Sequence, residues 1–163
     1  MCNEERFNEA EIKGRKKIED FLKNRGVNEF NFTIGQYCQT DVILSKDDKV
    51  YTIEIKDRGK KYENYNTFLI EKSKIDYMAK LYKEGKTSNS YICQIFGDNF
   101  YFFSFTKLTR LIEEGIIKED TILLPKTTID YNDVTYKKVY FVPKKYAMLY
   151  SLNNGKYDKI HIN

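Results

Sequence analysis

The chain reads as a mixed α/β protein, a central sheet covered by helices on both faces. Three observations predict this. Stretches of helical and of strand periodicity follow one another along the chain. Two hairpin strands, Tyr91 to Phe96 and Phe100 to Phe105, are apolar on both faces, as strands buried on both sides must be. The length of 163 residues, 41% apolar with only two prolines, suffices for one core and is short for two. A single domain over 1–163 is expected, with a core of about residues 8–106 and a C-terminal extension over 107–163.

From Asn8 to Asn24 the apolar residues Ile12, Ile18, Phe21 and Leu22 recur at helical spacing, and Gly26 closes the helix. Glu11 falls on the stripe of Ile18 and Leu22, so it is expected to face the sheet. A first-turn acid that favours the helix N-terminus explains it equally well, and Glu9 competes for any role at the sheet. Phe30 to Gly35 follows as a strand. The stretch from Gln39 to Lys56, QTDVILSKDDKVYTIEIK, then reads as two strands around a tight Asp47-Asp48 turn. With Lys46 facing Lys49, counting back places Val42 and Leu44 on one face with Ile53 and Ile55. Asp41 then stands directly opposite Glu54 on the other face, with Lys56 two residues on. Directly opposed side chains lie about 5 Å apart at Cβ, and like charges there repel. Such a pair asks for a cation, and a hard divalent ion such as magnesium suits carboxylate oxygens. An E-x-K pair is also an ordinary way to solvate a sheet face.

After Lys56 the loop DRGKKYENYN brings Lys60 and Lys61, able to reach phosphate, and Tyr62 or Tyr65, able to stack on an unpaired base. Phe68 to Glu84 is predicted as the second long helix, with Ile75, Met78, Ala79 and Tyr82 on one side and Gly85 at its end. Glu71 lies in that stripe and Lys74 at its edge, where a lysine commonly snorkels to water. The strands 91–96 and 100–105 form a hairpin through Gly97, Asp98 and Asn99. Beyond Thr106 a short helix over Lys107–Glu114, strands near Ile122–Leu124 and Val134–Val142, and a final helix over Lys144–Leu152 are expected.

The pattern D-x12-E-x-K formed by Asp41, Glu54 and Lys56, on a hairpin between two helices, resembles the PD-(D/E)xK nuclease superfamily. The resemblance covers about the first two thirds of the chain, with Thr40 standing where many members have the proline. It implies a restriction-endonuclease-like fold, a mixed central sheet flanked by helices on both faces. It further implies that Asp41, Glu54 and the backbone carbonyl of Ile55 hold Mg2+ or Mn2+, and that Lys56 assists the attacking water. Glu11 would approach the metal from the first helix, and Lys74 the scissile phosphate from the second. The implied activity is metal-dependent hydrolysis of phosphodiester bonds in DNA, branched and single-stranded forms included, with RNA also compatible. Small members of the superfamily often form homodimers, which the resemblance allows without locating an interface. The alternative from another class is a noncatalytic nuclease-like module that binds nucleic acid or protein.

Composition agrees with such a partner without demanding it. Lys and Arg outnumber Asp and Glu by 28 to 24, with basic residues gathered at 13–17, at 58–61, and at Lys137, Lys138, Lys144 and Lys145. Other chemistries lack their residues. His161 is the one histidine, no glycine-rich phosphate loop or Ser/His/Asp set is present, and Cys2, Cys38 and Cys93 have neither disulfide nor zinc spacing. No stretch is apolar enough for a membrane span or the core of a signal peptide, so a cytoplasmic protein with reduced thiols is expected.

Overall fold

The acidic hairpin folds as its turn residues dictate. In the computed structural model, which describes residues 9–34, 38–59, 63–126 and 132–162, Asp47 and Asp48 both take left-handed backbone angles, φ 52° and 57°. This is the mirror-image turn whose twist suits a two-residue hairpin. It joins β2 (Val42–Lys46) to β3 (Lys49–Asp57), and Lys46 pairs with Lys49, Leu44 with Tyr51 and Val42 with Ile53. Before the hairpin come α1 (Glu9–Asn24) and β1 (Phe30–Phe32). After it come β4 (Thr67–Glu71), α2 (Lys72–Lys83), β5 (Asn89–Phe96), β6 (Asn99–Ser104) and α3 (Phe105–Glu113). The chain continues through β7 (Glu119–Pro125), β8 (Val134–Pro143), a 3-10 turn (Lys144–Tyr146), β9 (Met148–Asn153) and β10 (Lys156–Ile160).

Seven strands form the main sheet in the order β1-β2-β3-β5-β6-β9-β10, and β4-β8-β7 form a second, antiparallel sheet. Only β3 and β5 run parallel among the described strand pairs, a pairing that requires a crossover, and β4 with α2 supplies it. Alternation along β5 and β6 divides the core in two. Ile92, Phe96, Tyr101 and Phe103 face α2, α3 and the second sheet, whereas Cys93, Ile95, Phe100 and Phe102 face α1. On the α1 side the Phe21 ring meets Phe100, Phe102, Tyr150 and Tyr157 at centroid distances of 5.0–5.6 Å. On the other, Phe68 stacks on Phe96 at 4.7 Å. The double burial expected of 91–96 and 100–105 is therefore present, and helices cover both faces.

Two expected elements differ. The helix predicted over Phe68–Glu84 begins only at Lys72, because residues 67–71 form a strand. Phe68 and Ile70 are buried while Leu69 and Glu71 are not, a period of two that helical spacing cannot produce. The final helix predicted over Lys144–Leu152 is instead the 3-10 turn followed by β9, which pairs Phe100 with Tyr150 and Tyr101 with Leu149 along the far side of β6. The first strand ends at Phe32, and residues 35–37 lie outside the described residues. Cys38 is an exposed free thiol and Cys93 a buried one. No described helix is long and apolar enough to cross a membrane.

What brings α1 onto the acidic hairpin is Gly14. A Cβ added there would sit 3.2 Å from Ile55 Cγ2 and 3.5 Å from Asp57 Cβ, so the helix backbone lies directly on β3. Lys17 fixes the same contact through Asp57 at 2.8 Å. Gly14→Leu is expected to force the helix off the strand and lower stability by about 1–3 kcal/mol. Thermal and urea unfolding measure this, and unchanged stability would contradict the close approach.

Candidate active site at the end of the acidic hairpin

Strand alternation on β3 turns Ile53 and Ile55 toward α1, and Thr52, Glu54 and Lys56 toward α2 and the second sheet. Glu54 is only 3% exposed. A carboxylate so enclosed needs cations, and it has two: Lys74 Nζ lies 2.9 Å and Lys56 Nζ 3.1 Å from the same Oε1. Lys74 comes from the first turn of α2 and also donates to the Gln39 carbonyl at 3.4 Å. Beside Glu54, a cavity of about 20 Å³ is lined by Lys56, Glu71, Lys74, Ile92 and Gln94, enough for a single water. Gln94 closes it by donating to the Leu69 carbonyl at 3.0 Å, and Glu71 is drawn toward Lys137 at 3.3 Å.

Asp41 reaches this end by a break in the ladder. Strand pairing stops at Val42 and Ile53, one pair short of the expected opposition of Asp41 and Glu54, and the Asp41 N–H donates to the Ile53 carbonyl at 2.9 Å. Its carboxylate is thereby turned along the sheet edge, where Oδ2 accepts from the Ile55 N–H at 2.6 Å. In a strand the N–H and C=O of one residue point to the same side, so the Ile55 carbonyl is directed to the Asp41 edge as well. Burial first, and the negative charge of Glu54 second, push the Asp41 carboxyl up to about 6.

Behind Asp41 stands Arg15, whose side chain is 16% exposed. Its Nη1 donates to the Thr33 carbonyl at 3.0 Å, Nη2 lies 3.2 Å from Glu11 Oε1 and 3.9 Å from Asp41 Oδ1, and the guanidinium sits 5.5 Å from the centre of the Phe32 ring. Arg15 thus ties α1, the end of β1 and Asp41 together. In the sequence it reads only as one member of the basic run 13–17. The available signal was its place one helical turn after Glu11, on the stripe that faces the sheet.

Of the predicted site residues, Asp41, Glu54, Ile55, Lys56 and Lys74 come together. Glu11 stands beside them, its side chain 39% exposed and held by Arg15. Lys60, Lys61 and Tyr62 lie outside the described residues. Tyr65 is 62% exposed. The far end of that loop is anchored by Glu63, which accepts from the Tyr101 hydroxyl at 3.0 Å and from Asn99. Among the described residues no three His, Cys, Asp or Glu side chains gather as a metal cluster. The donors here are two carboxylates and a backbone carbonyl, all hard oxygens, a set that fits an ion that keeps most of its waters.

No family model and no curated protein matches the chain. Solved structures do. The Holliday junction resolvase Hjc of the archaeal hyperthermophile Archaeoglobus fulgidus superposes with a TM-score of 0.50 at 10% sequence identity, covering 81% of this chain and 87% of that one. The chain has the restriction-endonuclease-like fold. A nuclease from a fusselovirus is also similar, with a TM-score of 0.48 and 14% identity over 83% of this chain and 80% of that chain. Within the restriction-endonuclease-like fold of this chain, the acidic hairpin is the β2–β3 unit, second and third in the seven-stranded sheet. The open end of the hairpin, where β2 begins, is where Asp41, Glu54 and Lys56 gather.

The Asp41 carboxyl provides a pH test. Its folded pKa, about 6, lies above the ordinary carboxylate value, so the protonated form favours folding. That contribution is full below about pH 4 and is lost as pH rises through about 6. In the presence of chelator, wild-type stability should therefore fall across this window relative to Asp41→Asn, by on the order of 2 kcal/mol. The variant retains an acceptor for the Ile55 N–H. Parallel pH profiles for the two proteins would show that Asp41 titrates normally.

Proposed function

We propose that the protein is a metal-dependent nuclease that hydrolyses phosphodiester bonds in DNA by direct attack of water. The observation that carries this reading is the placement of Asp41 and Glu54 on either side of Ile55, with Lys56 and Lys74 both against Glu54. The fold supports it, since the similar structures are a Holliday junction resolvase and a viral nuclease. Asp41, Glu54 and the Ile55 carbonyl would hold Mg2+ or Mn2+. When bound, such an ion polarises a phosphate oxygen and eases ionisation of a water. Lys56, fixed on β3, orients the attacking water and offsets charge as the pentavalent state forms. Lys74 meets the scissile phosphate from α2, and Glu11, held by Arg15 on α1, would approach the metal.

Lys60, Lys61 and Tyr62 follow β3 in the chain after Arg58 and Gly59, and they would contact backbone phosphates and an unpaired base of the substrate. We read the protein as a single-domain cytoplasmic enzyme acting on branched or single-stranded DNA, alone or as a homodimer.

One observation favours a second reading, a noncatalytic nuclease-like module. Glu54 and Asp41 already have Lys56, Lys74 and Arg15 as counter-charges, so the pair is neutralised without a metal. Calorimetry separates the two. Magnesium or manganese that neither binds nor raises the melting temperature supports the module.

The catalytic reading expects purified protein to cut one or more of a panel of branched, duplex and single-stranded DNA and RNA, and to stop when chelator is added. Asp41→Ala and Glu54→Gln should lose cleavage. Lys56→Met should keep its fold and metal binding while cleavage falls by about two to four powers of ten. Undiminished cutting by Asp41→Ala would sink the assignment.

A further inference from the structure

Lys74 is not placed as a lysine at the edge of an apolar stripe ordinarily is. Such a side chain runs its stem over the core and turns its ammonium to water. Here the ammonium turns inward. It sits 2.9 Å from the nearly inaccessible Glu54 carboxylate and 3.4 Å from the Gln39 carbonyl, bridging α2 to the chain just before Asp41. Glu54 does not need it for neutrality, since Lys56 meets the same oxygen at 3.1 Å from its own strand. The second ammonium occupies the Glu54 oxygen that a cation shared by Asp41 and Glu54 would claim. The lysine stem is flexible, and its side chain is still 22% exposed, so it has a way out.

We propose that Lys74 is a counter-ion latch: it caps Glu54 in the metal-free protein, and a divalent cation entering between Asp41 and Glu54 displaces it and frees its ammonium for a substrate phosphate. This rests on the reading of Asp41 and Glu54 as the metal pair. The displacement follows from charge, because an ammonium and a divalent ion a few ångströms apart in an enclosed site repel strongly. Released, Lys74 remains on the first turn of a twelve-residue helix packed by Ile75 and Met78, so only its side chain moves. Two couplings follow. Metal binds against competition from Lys74, and nucleic acid binds better once metal is present because an engaged cation has become available. By linkage, nucleic acid then tightens metal binding by the same factor.

The test uses the whole chain carrying Lys74→Met, which keeps the stem and removes the charge, with Lys74→Gln as a second variant. Magnesium and manganese are titrated by calorimetry without nucleic acid. Both variants are expected to bind the ion about tenfold more tightly than wild type and, without metal, to melt at lower temperature. A branched DNA is then titrated with calcium in place of magnesium, to permit binding without cleavage. Calcium should tighten binding by the wild type by a larger factor than binding by the variants, which gain only the ion's own contact with the phosphate. Metal affinity that is unchanged or weaker in both variants overturns the latch while leaving the metal pair standing. Absence of metal binding in wild type and variants alike overturns the metal pair and the latch with it.

Discussion

A carboxylate closed off from water must be neutralised where it stands, and Glu54 imposes that requirement on everything around it. It projects from the middle of a strand flanked on both sides, into the layer filled by α2 and the second sheet. The cost of burying an unpaired charge there exceeds what any single packing contact returns. Cations reach Glu54 from two directions, Lys56 along the strand and Lys74 from the helix above. The start of α2 is fixed by this as much as by its apolar stripe. β4 has to end at Glu71 for the first turn of α2 to stand over Glu54.

The opposite face of the same strand is governed by distance and not by charge. Gly14 lets the α1 backbone approach β3 to within contact of Ile55 and Asp57, and that closeness lets Arg15 reach around the sheet edge to Asp41. Asp41 is thus held by the Ile55 N–H in the plane of the sheet and by Arg15, against the like charge of Glu54. Its raised pKa is the electrostatic record of that position, since burial and a like charge outweigh the hydrogen bond and the cations.

Legibility in the sequence followed the range of the interactions involved. The β2–β3 hairpin could be read to the residue because its turn and register are local: two aspartates in left-handed conformation fix Lys46 against Lys49, and the rest counts from there. The double burial of β5 and β6 was equally plain, because no polar residue breaks either face for long. β4 was hidden because Phe68 and Ile70 run straight into the helical stripe of Ile75 and Met78, and no glycine or proline separates a period of two from one of 3.6. β9 exists because β6 needs a partner on its far side, a demand set by strands nearly fifty residues earlier. At the site, register brought Asp41 to the same end of the hairpin as Glu54, but the expected direct opposition is not made, because the ladder break that turns Asp41 toward Ile55 leaves no mark in the sequence. Arg15 had no local mark beyond its spacing from Glu11.

The charges around the hairpin end then bear on which ligand it can accept. Glu11, Asp41 and Glu54 alternate with Arg15, Lys56 and Lys74, so that without a ligand the group is balanced and each acid has a cation within 4 Å. A divalent cation added to a balanced set leaves it two charges positive in a weakly screened environment. Such an excess is tolerated only when an anion arrives with it, and a phosphodiester backbone brings one negative charge per phosphate, spaced so that two neighbouring groups restore the balance. A neutral or cationic ligand would leave the excess in place, and a bare carboxylate would remove only half of it. The same arithmetic that keeps the hairpin end stable when empty therefore favours a polyanion once a metal is bound.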